Sequence, residues 1–407
     1  MLKGTILAAL CGMVLLHGFV FFQLRKQIAG GYPDFTIFYT AGKCLREGLG
    51  RRLYDPATQW RLQQSFAANV QNRQSPLPYN HPPFEALLFA PLAAMPYSRA
   101  YTVWALINIL LLVLFWRLIR RRLPLLNQFS AALPLAAVFA FFPVFVAVLQ
   151  GQDSILLLAL CTLALLALEA ERDFSAGVCL ALGLFRPQLV LPMAAVLLLR
   201  RRWQAVAGLG AGGCALALIS AGVVGWQELF AYPGYLLHLN ANLAGSGIQP
   251  RDMPNLRGML FRLLGGDTAW VSGLVAAGSL ALVGLAAWKW SAEARQPDFD
   301  MGFGLTVTVA ALVSYHMLAH DLSLLLIPLL LAAEWLLRER TGGAARRLVV
   351  AAIAVMFLSP LYFLLWFRYQ RFTLLFWMVA LLAAGLSLAQ GREKGGSLAR
   401  RAGHSGA

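Results

Sequence analysis

The residues best suited to chemistry begin with a carboxylate set among aromatic rings, shortly after the first long apolar stretch. Tyr32-Pro33-Asp34-Phe35 is followed by Phe38-Tyr39, and apolar residues from Phe35 to Leu45 recur at helical spacing. A carboxylate at the edge of an apolar layer is partly desolvated, which makes it more basic and suits Asp34 to the role of general base. Asp34 also stands where the N-cap of the following helix is expected, and the two roles can coexist.

Three later motifs combine turn-forming residues with polar side chains. Leu53-Tyr54-Asp55-Pro56 is typical of a turn, which favours a structural role for Asp55. His81 precedes the rigid Pro82-Pro83 pair, where a solvated or backbone-bonded histidine and a substrate contact are equally good explanations. In Gln150-Gly151-Gln152-Asp153-Ser154 the glycine permits a tight turn, and Asp153 or Ser154 can cap the next helix. Capping does not explain the two glutamines, which could hydrogen-bond a sugar or a phosphate.

A buried cation and a histidine pair complete the candidates. Arg186 lies within a long apolar stretch, and Pro187 breaks the helix behind it. A cation at a helix break suits phosphate binding, which we favour over the alternative that Arg186 neutralises Asp153 or another carboxylate. His316 and His320 are four residues apart, which places them on one helical face. Without the glutamate of an HExxH motif, an interfacial or phosphate-contacting role is favoured over a metal site.

Composition indicates which elements must position these residues. Of the 407 residues, 59% are hydrophobic and only 13% are charged, and no soluble core could hide so much apolar surface. Apolar runs close to the roughly 20 residues that a helix needs to cross hydrocarbon recur along the chain. The sequence therefore predicts an all-α, polytopic membrane protein with a bundle of about 10–13 transmembrane helices.

Arginine clusters at the ends of these runs indicate cytoplasmic loops. They also account for the net charge of +16, so nucleic-acid binding is not indicated. The segments around Arg186-Pro187 are too short to cross and are expected to form a hairpin that dips into the bundle. The predicted membrane segments are 5–22, 98–119, 129–149, 154–170, 174–185, 187–199, 203–224, 268–290, 302–319, 322–338, 348–366 and 372–389.

This topology places the unusual polar residues together on the extracytoplasmic side. Residues 23–97 and 225–267 form the two large outer loops, and interfacial helices are expected in the first of them. The run from Pro82 to Pro96 suits a re-entrant or interfacial helix because it is short and bounded by prolines. Residues 1–390 are then one integral membrane domain, and 391–407 are a disordered, basic cytoplasmic tail.

In their order, the motifs of this chain resemble those of glycosyltransferase family 87, a branch of the GT-C superfamily of polyprenol-phosphate-mannose-dependent mannosyltransferases. The resemblance runs over most of the chain, and it departs at Arg186, where the family often has Lys. The motifs that carry it are Asp34-Phe35 with Phe38-Tyr39 and Ala41, Leu53-Tyr54-Asp55, His81-Pro82-Pro83, Gly151-Gln152-Asp153, Arg186-Pro187-Gln188 and His320-Asp321-Leu322.

The resemblance implies a multi-pass enzyme of the plasma (inner) membrane that acts on its extracytoplasmic side. Such an enzyme transfers a hexose, mannose by default, with inversion from a polyprenyl-phosphate donor to a glycan or lipid acceptor, and Asp34 corresponds to its catalytic base. No cofactor or metal ligand is predicted, and metal dependence stays open. The predicted substrate-binding residues are Tyr39, Asp55, His81, Gln152, Asp153, Arg186, Gln188, His316, His320 and Asp321.

The candidate residues also suit a reaction with a lipid-linked phosphate donor, independently of the resemblance. A donor with a long isoprenoid chain keeps its phosphate at the membrane interface, and the departing phosphate gains negative charge that Arg186 and the histidines would bind. A flippase or transporter of lipid-linked sugars, which binds the same group without reacting, is the alternative. Corresponding broken helices in two halves of the chain, typical of many transporters, are not apparent. A scaffold for envelope assembly is a third possibility.

Overall fold

The structure is a computed structural model that describes residues 2–67, 75–130, 132–241, 249–266, 268–290, 298–338 and 343–390. These residues form helices and no strand, which confirms the all-α class. The predicted tail, 391–407, lies outside the described residues. The first eleven α-helices are α1 (Leu2–Gln23), α2 (Arg25–Ala29), α3 (Phe35–Arg46), α4 (Pro56–Gln64), α5 (Pro83–Phe89), α6 (Tyr97–Ile119), α7 (Pro124–Phe129), α8 (Ala132–Ala140), α9 (Phe142–Gln150), α10 (Ser154–Glu169) and α11 (Asp173–Leu182). The others are α12 (Pro187–Leu199), α13 (Trp203–Val224), α14 (Trp226–Ala241), α15 (Leu256–Leu264), α16 (Ala269–Lys289), α17 (Asp298–Val313), α18 (Leu326–Arg338), α19 (Ala344–Met356), α20 (Ser359–Phe363) and α21 (Phe376–Ala389).

Several of these helices suit a membrane, which confirms the polytopic architecture. Six helical segments of the described residues are long and apolar enough to cross, and two bent pairs raise the number to eight. This is fewer than the predicted bundle of about 10–13, because α10, α11 and α12 are apolar but short for the hydrocarbon layer. The six are Lys3–Gln23, Tyr97–Arg122, Trp203–Val224, Ala269–Lys289, His320–Arg338 and Phe372–Ala389.

Prolines explain where the predicted spans break. The axes of α8 and α9 differ by 54°, and Pro143 lies in the first turn of α9. Pro187 opens α12 after the chain leaves α11 at Leu182, as the sequence predicts for this segment. Proline fits the first turn of a helix, since its missing N–H would be unpaired there, but it interrupts a continuous helix.

The first predicted outer loop is folded around aromatic side chains. The helix predicted from Phe35 to Leu45 is confirmed as α3, and the apolar run from Pro82 to Pro96 forms α5 and a short 3-10 turn. Phe38 stacks on Phe89 with ring centroids 4.7 Å apart, and Phe89 meets Trp104 at 4.8 Å. These rings attach α3 and α5 to the beginning of α6.

A set of buried charges lies beyond the carboxyl end of α6. This helix begins at Tyr97, whose ring lies 5.7 Å from that of Phe35, and its 23 residues span about 35 Å. Just beyond its end, Arg122 donates to Asp300 Oδ1 at 2.6 Å and contacts Glu169. The bundle therefore has charged groups beyond the carboxyl end of α6.

Candidate active site

Asp34 stands at the N-cap position of α3, but its carboxylate does not cap the helix. Its backbone has α-helical dihedrals and its side chain makes no capping hydrogen bond. Instead, Oδ2 of Asp34 accepts a 2.7 Å hydrogen bond from Gln152 Nε2. The Asp34 N–H donates to Gln150 Oε1 at 3.1 Å. The capping interpretation is therefore wrong, and both glutamines of the later turn hold this half-buried aspartate.

The turn that carries these glutamines is fixed by α6. Tyr101 donates its hydroxyl to the carbonyls of Val148 and Leu149, each at 3.0 Å, and Trp104 Nε1 donates to the Gly151 carbonyl at 2.9 Å. Gly151 has a φ of +62°, in the left-handed region that glycine tolerates best. A Cβ at this position would lie 2.7 Å from the Cβ of Phe35, so glycine also permits the close approach of α3.

Arg186 joins carboxylates from two other segments. Its Nε and Nη2 donate to Asp153 Oδ1 at 2.8 and 2.6 Å, and its Nη1 lies 3.3 Å from Asp321 Oδ1. Nη2 also donates to Gln152 Oε1. Arg186 therefore neutralises carboxylates, as the alternative interpretation has it, and its predicted contact with a phosphate stays a prediction. Asp153 makes no capping hydrogen bond, so the expectation that it caps α10 is wrong.

His81 and Glu85 extend this network on the side of α5. His81 Nδ1 lies 2.8 Å from Glu85 Oε2 and 3.6 Å from Asp153 Oδ2, and all three side chains are buried. Burial raises the pKa of Glu85 to about 7 and that of Asp153 to about 6, while it lowers the pKa of His81 to about 4. We call the following residues the buried polar cluster: Asp34, His81, Glu85, Gln152, Asp153, Arg186, His320 and Asp321.

The histidines near position 320 do not share a helical face. α17 ends at Val313, and the chain is not helical again until a 3-10 helix begins at His320, so that expectation is wrong. His320 Nε2 lies 3.6 Å from Asp321 Oδ1. The Asp321 side chain accepts from the Leu318 N–H at 2.9 Å, which fixes the loop. His316 lies half-buried in this loop.

Besides His316, three predicted site residues lie outside the buried polar cluster. The Tyr39 hydroxyl donates to the Met95 carbonyl at 2.7 Å. Asp55 caps α4, accepting from the N–H and the hydroxyl of Thr58 at 3.1 and 2.6 Å, which is the structural role expected of its turn. Gln188 is half-buried in the first turn of α12. The substrate-binding roles of these three residues stay predictions.

Two residues of the site are absent from the predicted set of substrate-binding residues. Glu85 follows His81 by four residues, a spacing that suits neighbours on one helical face and was the available signal. Arg257, in the first turn of α15, is buried and donates to the Tyr315 carbonyl at 3.1 Å. Its guanidinium carbon lies 3.8 Å from the centroid of the Tyr315 ring. Arg257 is therefore a cation beside the loop of His316, in addition to Arg186.

An apolar groove of about 460 Å³ adjoins the site. It runs between α1, α2 and α6, and the polar side chains in its lining are Arg25, Ser98, Tyr101 and Thr102. Tyr101 connects the groove to the site, because its ring lies 5.7 Å from that of Phe35, the residue after Asp34. Most of the groove's lining residues are apolar.

A comparison with models of protein families gives a match to glycosyltransferase family 87 over residues 79–314, more than half of the chain. The matched range includes His81, Glu85, Gln152, Asp153 and Arg186. Searches of curated proteins and of solved structures gave no match.

Proposed function

The chain belongs to glycosyltransferase family 87, and from this premise we propose that it transfers a hexose with inversion from a polyprenyl-phosphate donor. Mannose is the default sugar, and the acceptor is a glycan or lipid on the extracytoplasmic side of the plasma membrane. The proposal agrees with a chain that has several helices suited to a membrane.

The position of Asp34 carries this proposal. Its carboxylate is half-buried, is held by Gln152, and is not used to cap α3. A base needs an oriented lone pair and an environment that favours taking up a proton. Asp34 also comes directly before Phe35, which contacts the groove residue Tyr101. A lipid-linked sugar in that groove would bring its anomeric carbon close to this carboxylate.

In the proposed reaction, Asp34 takes the proton of the acceptor hydroxyl as that oxygen attacks the anomeric carbon. The bond from the anomeric carbon to the phosphate oxygen breaks with its electron pair, and polyprenyl phosphate leaves. Attack from the opposite face inverts the configuration. The leaving phosphate diester becomes a monoester with one more negative charge, which Arg186 and Arg257 would stabilise more strongly than in the ground state.

The donor chain is assigned to the apolar groove. Phe21, Ile28, Leu106 and Ile109 supply its apolar lining, and Arg25 provides a positive charge at its edge. The isoprenoid chain is already out of water in the bilayer, so the groove would position the donor rather than add hydrophobic binding energy.

The test is transfer from polyprenyl-phosphate mannose by the full-length protein in detergent. Asp34→Asn keeps the size of the side chain and removes its basicity, so we expect kcat to fall by about 100-fold or more. Glu47→Gln is the matched control, since it makes the same change at an exposed residue just past the other end of α3. Its kcat should equal that of the wild type.

Two results would contradict the proposal. Transfer by Asp34→Asn at the wild-type rate would remove Asp34 as the base. Absence of transfer by the wild type, across donors and acceptors, together with uptake of the lipid-linked sugar across vesicles would favour the transporter.

A further inference from the structure

His81, Glu85 and Asp153 meet in a way that ion pairing does not explain. Each offers one ligand atom, and the three atoms lie within 4.8 Å of one another. We propose that these three side chains bind one divalent cation of the manganese or zinc class. One imidazole nitrogen with two carboxylates is a donor set that these ions accept.

The atoms that would bind the metal are buried and form no hydrogen bonds. His81 Nδ1, both carboxylate oxygens of Glu85 and Asp153 Oδ2 have no hydrogen-bond partner among the described residues. The side chains are nine-tenths or more buried, so such atoms are costly unless something else binds them. His81 Nδ1 lies within ion-pair distance of both carboxylates, at 2.8 and 3.6 Å, but it forms a hydrogen bond with neither. A shared cation would bind one such atom of each side chain.

Two of the three separations between ligand atoms are close to those of a metal site. Ligand atoms around a tetrahedral ion at about 2.1 Å lie about 3.4 Å apart. The separations of 2.8 and 3.6 Å from His81 Nδ1 fall on either side of that value. The remaining coordination positions would be open to water or to an oxygen of a substrate.

The excess of carboxyl groups in the buried polar cluster also favours a bound cation. Its buried carboxyl groups are those of Glu85, Asp153 and Asp321, and Arg186 is its one member with a permanent positive charge. Buried charges of one sign are expensive unless they are compensated. The competing explanation is that Glu85 and Asp153 are protonated and therefore uncharged. In that case no metal would bind.

Neighbouring residues hold the three ligands in place. Tyr54 donates its hydroxyl to the His81 carbonyl at 2.7 Å, and Tyr79 donates to the Pro82 carbonyl at 3.0 Å. Arg186 binds Oδ1 of Asp153, which leaves Oδ2 directed toward His81. Metal ligands are commonly oriented by such outer contacts.

The experiment measures binding directly and needs no substrate, so it is independent of the proposed function. Full-length protein in nanodiscs is stripped with a chelator and titrated with Mn²⁺, and bound Mn²⁺ is followed by electron paramagnetic resonance. We expect one Mn²⁺ per chain, displaced by Zn²⁺. Electron spin echo modulation should show one coordinated imidazole nitrogen in the wild type.

Variants identify the ligands. Glu85→Gln should weaken Mn²⁺ binding at least about ten-fold, because the ligand set loses one anionic oxygen. His81→Ala should abolish the nitrogen modulation, whereas His17→Ala, which removes another buried histidine, should retain it. If His81→Ala does not fold, the other histidines decide by elimination, since the alanine variants of His17, His238, His316, His320 and His404 should all keep the modulation. No stoichiometric binding by the wild type, no nitrogen modulation, or unchanged affinity in folded Glu85→Gln would each overturn the proposal.

Discussion

Gln152 joins the carboxylate of Asp34 to the guanidinium of Arg186. Its amide nitrogen donates to Asp34 and its oxygen accepts from Arg186, so one side chain fixes the separation of a carboxylate and a guanidinium. Glutamine can do this because its amide presents a donor and an acceptor together. Gln152 is therefore a positioning residue, one that orients the proposed base without receiving a proton.

Replacing Gln152 by Leu should lower kcat with little change in the KM for the donor. The proposed base would lose its orientation, and a misplacement of about 1 Å can cost on the order of 100-fold in rate. The measurement is steady-state transfer in detergent, with Gln64→Leu, at an exposed position on α4, as control. A change in KM alone would indicate that Gln152 contacts the donor rather than the base.

The sequence singled out most residues of the site and offered the Arg186–Asp153 pair as an alternative, but it did not identify the contacts of Asp34. Capping is a local interaction, so it was the natural expectation for Asp34 and Asp153. The actual partner of Asp34 lies 118 positions away and that of Asp153 lies 33 positions away. Hydropathy and spacing do not determine which distant side chains meet. Glu85 was not among the predicted site residues, because spacing does not show that Asp153 approaches it from a distant turn.

At the scale of elements, the turn between α9 and α10 presents Gln150 and Gln152 to Asp34. Its geometry depends on Gly151, which combines a positive φ with contact to Phe35. The sequence predicts this turn from Gln150 to Ser154, and it predicts the break before Pro187. It does not predict that the chain leaves the helix after Val313, because the loop from 314 to 319 is fixed by contacts such as those of Asp321 and Arg257.

Gly151→Ala should destabilise the protein more than Gly48→Ala does. Both glycines have positive φ values, +62° and +71°, so each alanine should cost about 1–2 kcal/mol in backbone strain. Only at Gly151 would the new Cβ also meet a neighbour, Phe35, whereas Gly48 faces open space. Thermal unfolding in detergent and transfer activity measure the difference. Equal losses in the two variants would contradict the close packing of the turn on α3.

At the scale of the whole molecule, α6 separates two polar regions with different roles. The region near its beginning contains the side-chain atoms of His81, Glu85 and Asp153 that have no hydrogen-bond partner, and the apolar groove lies beside it. In the region near its end, the charges are paired: Arg122 with Asp300 and Glu169, and Glu334 with Arg338 and two backbone N–H groups. Paired charges at helix ends stabilise an arrangement, whereas unpaired ones indicate a ligand.

Arg122→Met should therefore reduce stability and leave the chemistry unchanged. Removing the buried arginine takes away a charged partner of the Asp300 carboxylate, and breaking a buried ion pair in this way costs about 3–5 kcal/mol. Arg121→Met is the matched control, because its side chain is exposed and its loss should cost less than about 0.5 kcal/mol. The melting temperature should fall for Arg122→Met alone, while transfer per folded molecule stays at the wild-type value for both, since the site lies about 35 Å away along α6. A loss of kcat in folded Arg122→Met would show that the two ends are coupled through the bundle.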